Sequence, residues 1–191
     1  MFRARRPSPL EIDRFTARSQ SLALSYAPIG LAQTVPSGYD LSEVVATIGH
    51  GDADFARAKD ALSAWAQFDL PWIEVFPRTA PIAAGTVVAV LAHHAGFWSL
   101  NACRIVYCIG DVDRGRHFGF AYGTLADHAE SGEEIFELSH QDSGDVRYRI
   151  RAASRPRALL ARLGFPIARA MQARFRRESV DAMTRALRAD R

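Results

Sequence analysis

Apolar and polar residues alternate along much of this chain with the period of two that a half-buried strand requires. Phe118, Phe120 and Tyr122 alternate with Gly119, Ala121 and Gly123, which predicts a strand over about 116–124 with one aromatic face and one nearly bare face. In the next predicted strand, about 128–139, His128, Glu130, Gly132, Glu134, Phe136 and Leu138 share one parity. An imidazole and two carboxylates therefore fall on the face that also holds Phe136 and Leu138, and a buried polar group needs a partner or a ligand. Val146, Tyr148, Ile150 and Ala152 alternate with Arg147, Arg149 and Arg151, the pattern of a strand with one wet face. Segments 41–48, 72–76, 85–94 and 97–109 bring the predicted strands to seven.

The period changes to three and four in two places. Phe55, Ala58, Leu62 and Trp65 predict a helix ending near Phe68, with Asp52 or Asp54 as its cap. Residues 157–189 read as mostly helical, broken or kinked at Gly164-Phe165-Pro166 because proline cannot donate and clashes with the preceding turn. Beyond that point Ile167, Met171, Phe175, Met183 and Leu187 keep an apolar seam near 3.6 residues per turn. At the other end, residues 1–8 read as a basic tail and Pro9 to Leu24 as a short helix, followed by turn residues from Tyr26. The division expected is one domain over 1–191, with an N-terminal extension (1–40) on a core of 41–190.

The composition, 48% apolar and 24% charged in 191 residues, suits one core of ordinary size. No run approaches the roughly 20 apolar residues of a membrane span, and the first residues lack the apolar stretch of a signal peptide. A cytoplasmic location is the expectation. Cys103 and Cys108 are predicted to be thiols in or near the core, on opposite faces of one strand and about 16 Å apart at ~3.3 Å per residue, too far for a disulfide. The net charge of +3 hides an asymmetry: residues 151–191 hold eleven arginines against three acids, a balance of +8, which leaves −5 on residues 1–150.

The block Phe120-x-Tyr122-Gly-Thr124, then His128-x-Glu130-x-Gly132-Glu-Glu134, resembles the uncharacterised protein family 0548. Asn101-Ala-Cys-Arg104 and Ser154-Arg155-Pro156 belong to the same resemblance, which covers Tyr26 to Met183. That family, shared by bacteria and plants, is assigned to the START-like, birch-allergen-like helix-grip superfamily. The resemblance implies an α+β fold in which about seven antiparallel strands wrap around a long C-terminal helix and leave an elongated, mostly apolar cavity. The N-terminal helical extension departs from the minimal plan, so it either covers a mouth of that cavity or packs on the sheet.

His128, Glu130 and Glu134 are the sharpest candidates for chemistry. Glu130 and Glu134 lie about 13 Å apart along an ideal strand at ~3.3 Å per residue, too far to share a proton. His128 beside Glu130 could instead serve acid–base work. The competing expectation is that Gly132 marks a bulge or turn that resets the parity and leaves both glutamates at a wet rim. Arg104 sits in a strand with two apolar faces: if its own face looks inward it partners Glu134 or a ligand carboxylate, and otherwise Asn101 and Cys103 line the cavity. His93 and His94 point to opposite faces. No HExxH, paired CxxC, GxSxG or phosphate-binding loop is present, so no metal and no cofactor are expected. Trp65, Trp72 and Trp98 are expected in the core or the cavity wall.

The function these features favour is the binding of a small apolar or amphipathic molecule. Phe118, Phe120, Tyr122, Phe136 and Tyr148 would supply aromatic walls, and Arg104, Thr124, His128, Glu130 and Glu134 a polar end. One alternative is an enzyme on the same scaffold with His128 and Glu130 as the acid–base residues. Another is an interaction protein whose basic C-terminal stripe (Arg162, Arg169, Arg174, Arg176, Arg177, Arg185, Arg188) meets an anionic partner. Nucleic acid is disfavoured, because the aromatic residues that interleave with charge in such modules are absent from that face.

Overall fold

The structure, a computed structural model, describes residues 2–94, 96–110, 115–157 and 165–189. The break expected at Gly164, the turn at 111–114 and Arg162 lie outside them. The elements in chain order are β1 (Phe2–Arg3), α1 (Pro9–Ser19), α2 (Leu31–Thr34), β2 (Asp40–His50), α3 (Gly51–Ser63), a 3-10 turn (Ala66–Phe68), β3 (Ile73–Phe76), β4 (Val87–His94), β5 (Phe97–Gly110), β6 (His117–Thr124), β7 (Glu130–His140), β8 (Asp145–Pro156) and α4 (Phe165–Ala189).

Seven strands form one antiparallel sheet in the order β2-β8-β7-β6-β5-β4-β3, and β1 adds to β5 beside them. The sheet packs against α4 with α3 alongside, which is the helix-grip arrangement. Phe175, Ala182, Met183 and Leu187 carry the α4 seam into the core, where Phe68, Phe120, Phe136 and Tyr148 are essentially inaccessible to solvent. Phe136 is the hub of an aromatic cluster, with ring centroids 5.3 Å from Phe120, 5.3 Å from Tyr122, 6.0 Å from Phe68 and 6.3 Å from Phe175. Such pairs add about 0.5–1.5 kcal/mol each beyond their buried area.

The N-terminal extension covers the sheet's other face, so the molecule has three layers. Ile12 and Phe15 of α1 pack on Val87, Ala89, Leu91, Leu100 and Ala102 of β4 and β5. Ser8 caps this helix reciprocally with Glu11, whose carboxyl is held down to about 2 chiefly by the hydrogen bonds from Ser8. Residues 1–8 are thus no simple tail: Phe2–Arg3 pairs with Trp98–Ser99, and Arg6 bridges to Glu74. Farther along, Tyr26, Leu31 and Ala32 pack on Ala121, Ile135 and Ala153. The bare face of β6 is where they lie. A Cβ at Gly123 would collide with the Tyr26 hydroxyl, so only glycine lets that ring cross the strand.

Three local expectations are corrected. Neither Asp52 nor Asp54 sits at the cap of α3; the Asp54 carboxylate reaches back to accept from the His50 N–H at 2.8 Å. In β5 the register shifts between Ile105 and Tyr107, so one extra residue turns the strand over. Cys103 and Cys108 consequently share a face, and Cys108 is exposed. Finally, Trp98 lies with α1 on the outer face, where His93 stacks on it at 4.3 Å.

Candidate functional site

Between the sheet and the first turns of α4 lies a cavity of about 230 Å³. It falls just under the roughly 300–1,000 Å³ usual for small-molecule sites. Phe68, Trp72, Ile73, Val90, Ala92, Met171 and Phe175 give it an apolar wall. Asn101, Cys103, Tyr122, Thr124, His128, Glu130, Glu134, Ser154, Gln172 and Arg176 give it a polar one.

β7 is in unbroken register with β8 from Glu130↔Pro156 to His140↔Val146, so Gly132 is not a bulge and the shared parity of Glu130 and Glu134 holds. The strand starts two residues later than expected: His128 lies in the turn before it, its N–H donating to the Leu125 carbonyl, and lines the cavity from there. Gly132 is there because a Cβ would run into the Ala153 carbonyl oxygen. The Thr124 hydroxyl bridges the same residue, donating to its C=O at 3.1 Å and accepting from its N–H at 2.9 Å. Tyr122 stands opposite Glu134 and donates to its Oε2 at 2.8 Å. Burial pushes the Glu134 carboxyl up to about 7, against the lowering pull of the Tyr122 bond and the Arg176 charge. Burial likewise raises the Glu130 carboxyl, although Ser154, Gln172 and Arg169 favour its charged form. Gln172 Nε2 donates to Glu130 at 2.8 Å.

His128 and Glu130 do not form a side-chain dyad. The imidazole Nδ1 accepts from the backbone N–H of Glu130 at 3.0 Å, which assigns the proton to Nε2. Burial holds the ring down at about 4, so it is neutral near pH 7. Arg104 points away from the cavity and donates to the carbonyls of Gln20 and Leu22 at 2.8 and 2.9 Å. Its role is to tie down the segment after α1, and Asn101 and Cys103 take the inward face instead. Phe120, Phe136 and Tyr148 lie in the packed core beside the cavity, with Tyr148 sharing a hydrogen bond with Ser179 at 3.1 Å, and Phe118 packs against that core. Among the described residues no group of three or more His, Cys, Asp and Glu is placed to hold a metal ion.

Glu133, next in sequence to Glu134, sends its side chain to the opposite face, where it is buried. Its carboxylate accepts from Tyr26 O–H (2.7 Å), Gly30 N–H (3.0 Å), Tyr107 O–H (3.1 Å) and Ala32 N–H (3.3 Å). Both glutamates of the Gly-Glu-Glu run thus have a task, Glu133 fastening the extension and Glu134 facing the cavity.

A family model described as a domain of unknown function (DUF1990) matches residues 25–182. A UPF0548 protein of Dictyostelium discoideum is 37% identical over 160 residues, spanning 79% of this chain and 74% of its own. The chain belongs to the UPF0548 family. The Deinococcus radiodurans UPF0548 protein is 32% identical over 97% of this chain and 98% of its own, so the likeness includes the N-terminal extension. In solved structures, the UPF0548 chain resembles the hypothetical protein jhp0584 of Helicobacter pylori, with a TM-score of 0.54 at 11% identity over 85% of this chain and 94% of that one. TTHA0849 of Thermus thermophilus gives 0.54 at 11% identity over 79% and 99%. These likenesses show the fold alone.

Sequence reasoning missed Gln172 and Arg176 as cavity residues. Both had a signal, since they sit one position after Met171 and Phe175 on the seam of α4 and repeat at i, i+4. Arg176 falls in the basic stripe expected on the outer face, yet it lines the cavity. Two other members of that stripe are engaged: Arg174 pairs with Glu178 at 2.6 Å over the Trp72 ring, and Arg185 donates to the Asp69 carbonyl at 3.4 Å. No helix among the described residues is long and apolar enough to cross a membrane.

The Glu134 environment sets a sign for stability against pH. Its folded value of about 7 lies above the ordinary 4.5, so the native state holds the proton more tightly than the unfolded chain. That contribution is fully present below about pH 4.5 and is lost as pH rises toward 7. Urea unfolding of Glu134→Gln should therefore lose a downward trend across this window that wild type shows; identical pH profiles for the two proteins would contradict it.

Proposed function

We propose that this UPF0548 protein binds a small amphipathic molecule in the cavity between the sheet and α4. The observation that carries this reading is the division of one cavity into an apolar wall, built by Trp72, Ile73, Val90, Met171 and Phe175, and a polar wall built by residues of β5 to β8, the turn before β7 and α4. A cavity serving packing alone gains nothing from ionisable groups that lose hydration there, whereas ligand sites combine apolar surface with a few placed polar groups. In this reading Thr124, His128, Glu130 and Glu134 belong to the polar end, with Asn101, Gln172 and Arg176 added. Tyr122 positions Glu134. Phe120, Phe136 and Tyr148 act as the support behind the wall, and Arg104 has no direct part.

Native mass spectrometry of freshly purified protein should show a bound mass that solvent extraction releases. Ala152 lines the cavity on β8, paired with Glu134 across the strands. Ala152→Phe should fill the space and abolish that adduct at a stability cost of about 1–3 kcal/mol from overpacking. A folded Ala152→Phe variant that still carries the same adduct would place the molecule elsewhere.

A further inference from the structure

The polar wall contains an acid and a base that do not meet. Glu134 and Arg176 line the same cavity and act on each other's charge, yet no ion pair within 4.0 Å joins them. Arg176 is partly buried and, among the described residues, has no carboxylate partner and no hydrogen bond. Close by, the Oε1 of Gln172 is also buried without a partner.

The two charges are not equivalent, because a carboxyl can shed its charge by taking a proton whereas a guanidinium cannot deprotonate in a protein. Glu134 therefore makes no demand for a cation, while Arg176 leaves a fixed positive charge to be matched. Glu130 is not free to match it, since Gln172 and Ser154 hydrogen-bond its carboxylate and Arg169 lies near it. From this asymmetry, and resting on the binding reading above, we infer that the ligand is an amphipathic carboxylic acid whose head lies between Arg176 and Glu134 and whose tail lies against Trp72, Ile73 and Met171.

One carboxylate oxygen would accept from the Arg176 guanidinium. The other would share a proton with the free oxygen of Glu134, whose Oε2 already accepts from Tyr122. The proton comes from solvent, so binding an anion takes up a proton wherever Glu134 is ionised beforehand. The ionisable groups facing Glu134 are Tyr122 from β6, Cys103 from β5, Tyr148 from β8, Glu130 from its own strand and Arg176 from α4. Burial raises Tyr122, Cys103 and Tyr148 above their ordinary values, so all three stay neutral near pH 7. Glu134 then titrates in this range beside Glu130, which burial also raises, and affinity should weaken by up to about tenfold per pH unit above 7, a dependence that Glu134→Gln assigns to Glu134.

The test is calorimetric titration with hexanoate, hexan-1-ol and hexylamine, which match the tail and vary the head. Wild type should prefer hexanoate over both by about tenfold, or 1.4 kcal/mol. It should take up protons on binding near pH 7, read from buffers of different ionisation enthalpy. Arg176→Gln should erase the preference while keeping the affinity for hexanol, which also shows that the variant is folded. Glu134→Gln should keep the preference but lose the proton uptake. A preference for hexylamine, or an Arg176→Gln protein that still selects hexanoate, overturns the acid while leaving the cavity reading standing. Failure of all three probes to bind wild type overturns both.

Discussion

Glu133→Ala should destabilise the protein by about 3–5 kcal/mol, although its side chain lies on the face of the sheet away from the cavity and the main core. Glu133 is 2% exposed and its carboxylate accepts four hydrogen bonds, three of them from residues 26–32. Bonds to a charged acceptor are worth about 1.5–3 kcal/mol each, and removal strands two hydroxyls and two backbone N–H groups that are largely shielded from water. Glu133→Gln should also be costly, since an amide NH₂ would confront donors where an oxygen now accepts. The damage should concentrate in the extension: limited proteolysis should cut between residues 20 and 39 before the sheet unfolds. A variant within about 0.5 kcal/mol of wild type in urea would show that the extension is held by packing alone.

The second large effect is expected in α4. Met183 is fully buried against the sheet, and Met183→Asp should cost several kcal/mol because an unpaired charge enters an apolar seam. Met171 lies on the same seam about three turns earlier, but it lines the cavity and is only partly buried. Met171→Asp should therefore cost less, about 1–2 kcal/mol, because its carboxylate can keep some hydration. Thermal or urea unfolding of the two variants side by side decides the matter. Equal losses would mean that the cavity is closed and dry at Met171.

The pairing of Glu133 with Glu134 also shows how far a strand pattern reaches. Parity alone separates the two residues onto opposite faces, and the register of β7 with β8 agrees. It assigns Glu133 to an exposed surface by default, because a charged residue on the face away from the core is usually solvated. Its burial depends on donors contributed by Tyr26, Gly30 and Ala32, which lie more than a hundred positions earlier. No local pattern around residue 133 announces them.

The seven strands, the long amphipathic final helix and the inward pair Glu130 and Glu134 were legible in the chain because each follows from a short-range period in hydrophobicity. His128 reaches the same cavity from the turn before β7, which no strand period describes. The inward face of β5 was not. Both of its faces are apolar, since α4 and the cavity lie on one side and α1 on the other, and alternation cannot choose between two buried faces. The extra residue between Ile105 and Tyr107 then reverses the parity within the same strand, so Cys103 and Tyr107 face opposite ways despite their even spacing. Arg176 was hidden for a related reason. A helical wheel places it near the edge of the apolar seam, and only the curl of the sheet around α4 turns that edge into a cavity wall. Periodicity states which residues share a face; what lies across from that face is decided by elements distant in sequence, and so only by the folded molecule.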